Sequence, residues 1–184
     1  MTGRKTLIAF FLLKFLCQGT VCQRSAASPL VQGTIQTVSL ELDQRLLKDS
    51  NIPVDWYGSI ENSCDVGVYV PKASPGRQRS DLLLVYGPGG ANLRSLPAYQ
   101  RYADDLGLIL AAPQPSRTEH DERPDYYYSL RVIDWLKGQR MLSRTSKIIL
   151  AGFSGGAKMA LIVASFGGDT FLDICTARHI RRAQ

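Results

Sequence analysis

The rhythm of apolar and polar positions changes along the chain, and each rhythm predicts a different element. Val38, Leu40 and Leu42 alternate with polar residues, the period of a half-buried strand. Residues 45–63 show no regular spacing and read as irregular. Val66, Val68 and Val70 share one face of a second alternating strand, 65–70, which Pro71 ends. Residues 72–80, with Pro75 and Gly76 at their centre, read as a solvated turn. From Asp81 the pattern becomes continuous: in 81–86, 108–112 and 147–151 every position after the leading Asp81 or Lys147 is apolar, as in strands buried on both faces of a helix-covered parallel sheet. Helical spacing fills the intervals. Residues 96–106 form one predicted helix, ended by Gly107 in the C′ position. Residues 126–138 form another, with Leu130, Ile133, Trp135 and Leu136 toward the core, and 155–166 a third. A glycine-rich loop, 87–92, follows the first buried strand, Pro113 closes the second, and 113–124 is a polar loop.

Strand, helix, strand, helix, strand, helix is the alternation of an α/β fold with right-handed crossovers. The two alternating strands in front fit an antiparallel start to the same sheet. With 184 residues, 45% of them apolar, the chain can bury a single core. The predicted organisation is a signal peptide and short linker over 1–27, then one α/β domain over 28–184. Arg4 and Lys5 form a basic n-region, and the apolar stretch 7–16 has signal-peptide length, too short to span a bilayer. Cleavage after Gly19 or Ala27 would leave a secreted or periplasmic protein without stable membrane insertion. Lys14 interrupts the apolar run, so an uncleaved tether is the alternative.

Charge and cysteine content narrow the function classes. The net charge of +6 is carried largely by the ends, through Arg4, Lys5 and Lys14 on one side and Arg178, Arg181 and Arg182 against Asp173 on the other. The scattered basic residues between them do not form the stripe that nucleic acid requires. Cys17 and Cys22 fall in or beside the predicted signal. Cys64 and Cys175 remain in the body, as a disulfide or as buried thiols. With two histidines and no CxxC or HExxH spacing, no metal site is expected.

The candidate chemistry lies at Gly152-Phe153-Ser154-Gly155-Gly156. A serine hydroxyl needs a base to take its proton and donors to hold the oxyanion that its attack creates. Gly-x-Ser-x-Gly between a buried strand and an apolar-faced helix puts the serine on a tight, strained turn, with glycines leaving room for strand and helix to approach. Ser154 is the candidate nucleophile. Gly155 can offer its backbone N–H at a helix N-terminus. The second oxyanion donor is expected from the loop 87–90, at Gly89 or Gly90, since Pro88 has no N–H.

From about residue 65 to 168 these features together resemble the α/β-hydrolase superfamily. The stretch 151–160, Ala-Gly-Phe-Ser-Gly-Gly-Ala-Lys-Met-Ala, is similar to secreted esterases of the polyhydroxybutyrate-depolymerase and feruloyl-esterase kind. The resemblance implies an α/β-hydrolase fold, a mostly parallel sheet with helices on both faces. It also implies hydrolysis of small-molecule or polymer esters through an acyl-enzyme, without a cofactor. Tyr86 stands where the family usually has histidine. In the family the triad acid and base follow later strands, but only 30 residues follow Ser154, with Asp169, Asp173 and His179 among them. His179 reads as a solvated histidine near the next strand, and His120 comes too early in the chain. Residues 175–184 do not read as the family's next helix or strand. The expectation is therefore a hydrolase domain incomplete at its C-terminal end, with impaired turnover. The alternatives are a non-catalytic binding protein, in which Tyr126, Tyr127 and Tyr128 stack on an aryl or sugar group, although packing at the helix start explains them more simply, and a peptidase of the prolyl-oligopeptidase kind.

Overall fold

A computed structural model describes residues 29–49, 52, 60–72, 80–114, 123–167 and 173–176. The predicted signal segment, most of the 72–80 turn and most of the 113–124 loop lie outside them. Six strands form one sheet: β1 (Ile35–Glu41), β2 (Ser63–Tyr69), β3 (Asp81–Tyr86), β4 (Leu108–Gln114), β5 (Ile148–Gly152) and β6 (Asp173–Thr176), in the spatial order β1-β2-β4-β3-β5-β6. β1 pairs antiparallel with β2, and β2 antiparallel with β4. The β4-β3, β3-β5 and β5-β6 pairs are parallel. The expected antiparallel start and parallel body are thus both present.

Continuous apolar runs are explained by two cores, one on each face. Leu82, Leu84 and Tyr86 of β3 point into a core shared with α4 (Arg123–Gly138) and α5 (Gly155–Gly167). Leu83 and Val85 point to the other face, against Leu96 and Ala103. On that second face lie α2 (Asn92–Ser95) and α3 (Gln100–Leu106), joined by a 3-10 turn, Leu96–Tyr99. The sequence suggested one helix over 96–106. Pro97, at the start of that turn, has no N–H to continue an α-helical ladder and breaks the run. Gly107 closes α3 with φ +70°, as expected.

Three further departures have physical causes. The stretch expected to be irregular contains α1 (Gln44–Asp49). Asp43 Oδ1 accepts the N–H groups of Arg45 and Leu46, at 2.9 and 3.2 Å, and starts the helix as an N-cap does. β4 runs on through Pro113. Its ladder with β3 ends at the pair Leu84 and Ala111, so Pro113 is paired only with Val66 of β2, where a missing N–H costs little. Finally, residues 173–176, which reach two residues into the stretch 175–184 that did not read as a strand, pair with 149–152 of β5.

The strand order also decides between the two readings of the cysteines. β2 and β6 are four interstrand spacings apart, about 19 Å, so Cys64 and Cys175 are too distant for a disulfide. Cys64 is a free, buried thiol. Among the described residues no helix is long and apolar enough to cross a membrane.

Candidate active site

β3 and β5 are neighbours in parallel register, Val85 beside Ala151 and Tyr86 beside Gly152. The loops leaving their C-terminal ends therefore emerge side by side, at the edge of the sheet where α/β proteins place their sites. After β5 the chain turns through Phe153 and Ser154 directly into α5. Ser154 has φ +55°, a left-handed conformation that costs a non-glycine residue about 1–2 kcal/mol. Such strain persists only where the surroundings enforce it. Two glycines do so here. A Cβ on Gly152 would overlap the Gly156 carbonyl, and a Cβ on Gly156 would overlap the Tyr86 carbonyl. Without side chains at both positions, α5 packs directly on the ends of β3 and β5, and Ser154 is left exposed at the tip.

The first turn of α5 is held by Gly156 N–H to the Phe153 carbonyl and Ala157 N–H to the Ser154 carbonyl, each 3.0 Å. The exposed Gly155 thus stands at the open end of a 13-residue helix, where amides and the helix dipole favour negative charge. Beside it lies the loop after β3. A Cβ placed on Gly155 would be 3.6 Å from the Gly89 amide nitrogen. Gly89 and Gly90 take φ of +59° and +75°, both are exposed, and a side chain at either position would point into open space. The Gly87 N–H is already committed to Asn92 Oδ1, at 2.8 Å. The structure thus brings Ser154, Gly155 and Gly89 together, with Gly90 the next residue along the loop.

Tyr86 does not face the site. It is fully buried, and its hydroxyl lies 2.6 Å from Ser129 Oγ on α4. Burial pushes the phenol far above its ordinary range. Sequence reasoning passed over two residues here, Asn92 and Ser129. Both are polar yet almost wholly buried, at 2% and 0% exposure, and both bind the ends of the glycine loop to the body. An Asn directly after a glycine-rich loop and a Ser in an apolar helix face were the available signals.

The three consecutive tyrosines are not a stacking platform. All are buried. The Tyr127 and Tyr128 hydroxyls accept the backbone N–H groups of Asp43 and Glu61, at 2.7 and 2.8 Å, and Tyr126 meets Phe166 at 5.8 Å between ring centres. Their amphipathic rings tie α4 to the front of the chain. Asp173 lies on β6, while His120, Asp169 and His179 lie outside the described residues. Among the described residues no group of His, Cys, Asp or Glu is gathered as a metal site.

Solved structures similar to this chain include esterases, a peptidase and a serine hydrolase. The chain is similar to Est1E from Butyrivibrio proteoclasticus, at TM-score 0.52 and 16% identity over 75% of this chain and 49% of that one. It is similar to Pyrococcus horikoshii acylaminoacyl peptidase at TM-score 0.52 and 14% identity, over 79% and 23%. It is also similar to the fluorophosphonate-binding serine hydrolase F of Staphylococcus aureus at TM-score 0.52 and 19% identity, over 77% and 56%. At these identities the likeness is one of fold, and the fold is that of the α/β-hydrolases. The chain spans about half the length of Est1E and of the S. aureus hydrolase and 23% of the peptidase. No family model matches the chain, and no curated protein does.

Proposed function

We propose that this chain carries the nucleophile and oxyanion elements of a serine hydrolase acting on carboxylic esters through an acyl-enzyme. One observation carries the reading: Ser154 is exposed at φ +55° on the β5-α5 turn, with the Gly89 amide nitrogen of the neighbouring loop close to Gly155. In this mechanism Ser154 Oγ gives up its proton to a base and bonds to the ester carbonyl carbon. The carbonyl oxygen becomes an oxyanion, held by the N–H of Gly155 and that of Gly89 or Gly90. The C–O bond to the alcohol then breaks, the alcohol leaves with a proton, and water releases the acid from Ser154. No step calls on a cofactor.

An ester is preferred to an amide on the pattern of residues 151–160, which is similar to depolymerase- and feruloyl-esterase-type sequences. The fold it shares with acylaminoacyl peptidase supports the peptidase reading through the same acyl-enzyme step. Export by a signal peptide in 1–27 is part of the proposal. A fluorophosphonate probe tests the core of it: the wild type is labelled and Ser154→Ala is not. A wild type that takes no label sinks the reading, as does a Ser154→Ala variant that still takes it.

A further inference from the structure

We infer that Asn92 is the positioning residue of the oxyanion loop, and that its carboxamide sets where the Gly89 and Gly90 amides stand; this rests on the role proposed for those glycines. The inference starts from a mismatch in the sheet. On the β5 side the ladder of β3 continues to Tyr86 beside Gly152. On the β4 side it stops at Leu84 beside Ala111. Past that point the end of β3 and the end of β4 separate, and backbone groups there lose their partners across the gap.

The Asn92 side chain fills that gap. Its Oδ1 accepts the Gly87 N–H at 2.8 Å, and its Nδ2 donates to the Pro113 carbonyl at 2.5 Å. Only this orientation of the amide fits, since Gly87 offers a donor and Pro113 an acceptor. One side chain therefore replaces a backbone rung between two strands, and does so at the first residue of the glycine loop. Further bonds close the loop around it. Ala91 N–H donates to the Pro88 carbonyl, and Ser95 Oγ donates to the Ala91 carbonyl, each at 3.1 Å. The Gln114 side-chain carbonyl accepts the Leu93 N–H at 3.3 Å. Both ends of the loop are thus pinned, at Gly87 and at Ala91-Asn92. The span between them, exposed, with Gly89 and Gly90 at positive φ and room at both Cβ positions, lies beside the start of α5 and takes its position from those pinned ends.

Asn92→Asp separates positioning from bulk packing, because it keeps the shape and makes the rung titratable. Its first oxygen still accepts from Gly87. When the acid is protonated its second oxygen can donate to Pro113; when ionised it faces the carbonyl oxygen as a second acceptor and is repelled. Burial raises the pKa of such an acid above the ordinary value of about 3.9, bringing the change into a workable pH range. Phosphonylation by a fluorophosphonate reads the result: Ser154 Oγ bonds to phosphorus, the P–F bond breaks, fluoride and the serine proton leave, and the phosphoryl oxygen occupies the oxyanion position.

The measurement is the ratio of the Asn92→Asp labelling rate constant to that of the wild type from pH 5 to 8, in protein verified as folded by circular dichroism at each pH. The ratio is expected to stay within about twofold of one at pH 5 and to fall about tenfold or more by pH 8, given that losing a whole oxyanion donor costs about a hundredfold or more. Asn92→Ala, without a titratable group, is expected to be slow at every pH. A ratio for Asn92→Asp that does not change with pH overturns the inference. If the wild type takes no label, the hydrolase reading falls by itself, and nuclear magnetic resonance of the Gly89 and Gly90 amides then tests Asn92 alone. In a Ser154→Ala background those signals are expected to titrate with Asn92→Asp and not with Asn92; signals that do not move overturn the inference.

Discussion

Replacing Gly156 by Ala puts a methyl group where α5 touches the end of β3. Its Cβ would overlap the Tyr86 carbonyl oxygen and lie 2.5 Å from the Tyr86 carbonyl carbon and 3.0 Å from Gly87. These atoms are backbone, at the end of β3 where Tyr86 is paired with Gly152 of β5, so they cannot rotate away as a side chain would. Restoring ordinary contact requires α5 to retreat about 1 Å, and overpacking of this kind costs about 1–3 kcal/mol, here toward the upper end. Alanine's helix preference over glycine returns at most about 1 kcal/mol. The net expectation is a loss of about 2 kcal/mol, or about 4–8 °C in Tm for a chain of this size. Gly138, the last residue of α4, provides the control. Its Cβ would meet nothing within 4 Å, so Gly138→Ala is expected to be neutral or to stabilise by up to about 1 kcal/mol. Guanidinium unfolding of both variants, with unchanged m-values, is the assay. A Gly156→Ala protein as stable as Gly138→Ala would refute the close approach of α5 to β3, and with it the packing that strains Ser154.

Two further outcomes follow from buried groups away from the turn. Ser129 Oγ–H donates to the Asp125 carbonyl, which leaves that oxygen to accept the Tyr86 hydroxyl. Ser129→Ala is therefore expected to cost about 1–3 kcal/mol by orphaning the phenol. Tyr86→Phe in the same protein should recover part of that loss, and a double-mutant cycle in denaturant that shows simple additivity would contradict the pairing. Burial pushes the Cys64 thiol from 9.0 up to about 12. The folded state then holds its proton more tightly than the unfolded one. Its contribution to stability is complete below pH 9 and is lost as pH rises from 9 toward 12. Between pH 9 and 10 the stability of the wild type should fall more steeply than that of Cys64→Ala, and peptide-resolved alkylation at pH 8 should modify Cys64 only after unfolding. Equal slopes, or rapid alkylation of the native thiol, would count against its burial.

Much of the sheet was legible because burial writes itself into sequence. Runs such as 82–86 and 148–151 are apolar at every step only if both faces are covered, and Leu82 and Leu83 do enter opposite cores. The elbow was legible because Gly152 and Gly156 answer a steric demand that no other residue meets. Less visible were elements decided by tertiary partners. α1 is a short helix that Asp43 starts and Tyr127 anchors from 84 residues away, and β6 takes its conformation from pairing with β5. The tyrosines at 126–128 read from the sequence as helix-start packing or, less simply, as a stacking surface, and they are packed. Their hydroxyls find backbone partners far along the chain, which local spacing cannot reveal. In the candidate site the nucleophile and the glycine loop were readable from order and motif. Asn92 was not, because its role depends on where two strands part company.

The bonds from Tyr127 to Asp43 and from Tyr128 to Glu61 join α4 to the two segments that flank β1 and β2. Those strands form an antiparallel edge that could otherwise peel away as a hairpin. With its loops held by buried phenols on a central helix, the edge can open only if α4 opens with it. Local fraying is thereby converted into a global event. Asp43 and Glu61 lie in connecting segments, yet their amides are expected to exchange as slowly as those of the core, with the front of the chain unfolding together with the helix that follows β4.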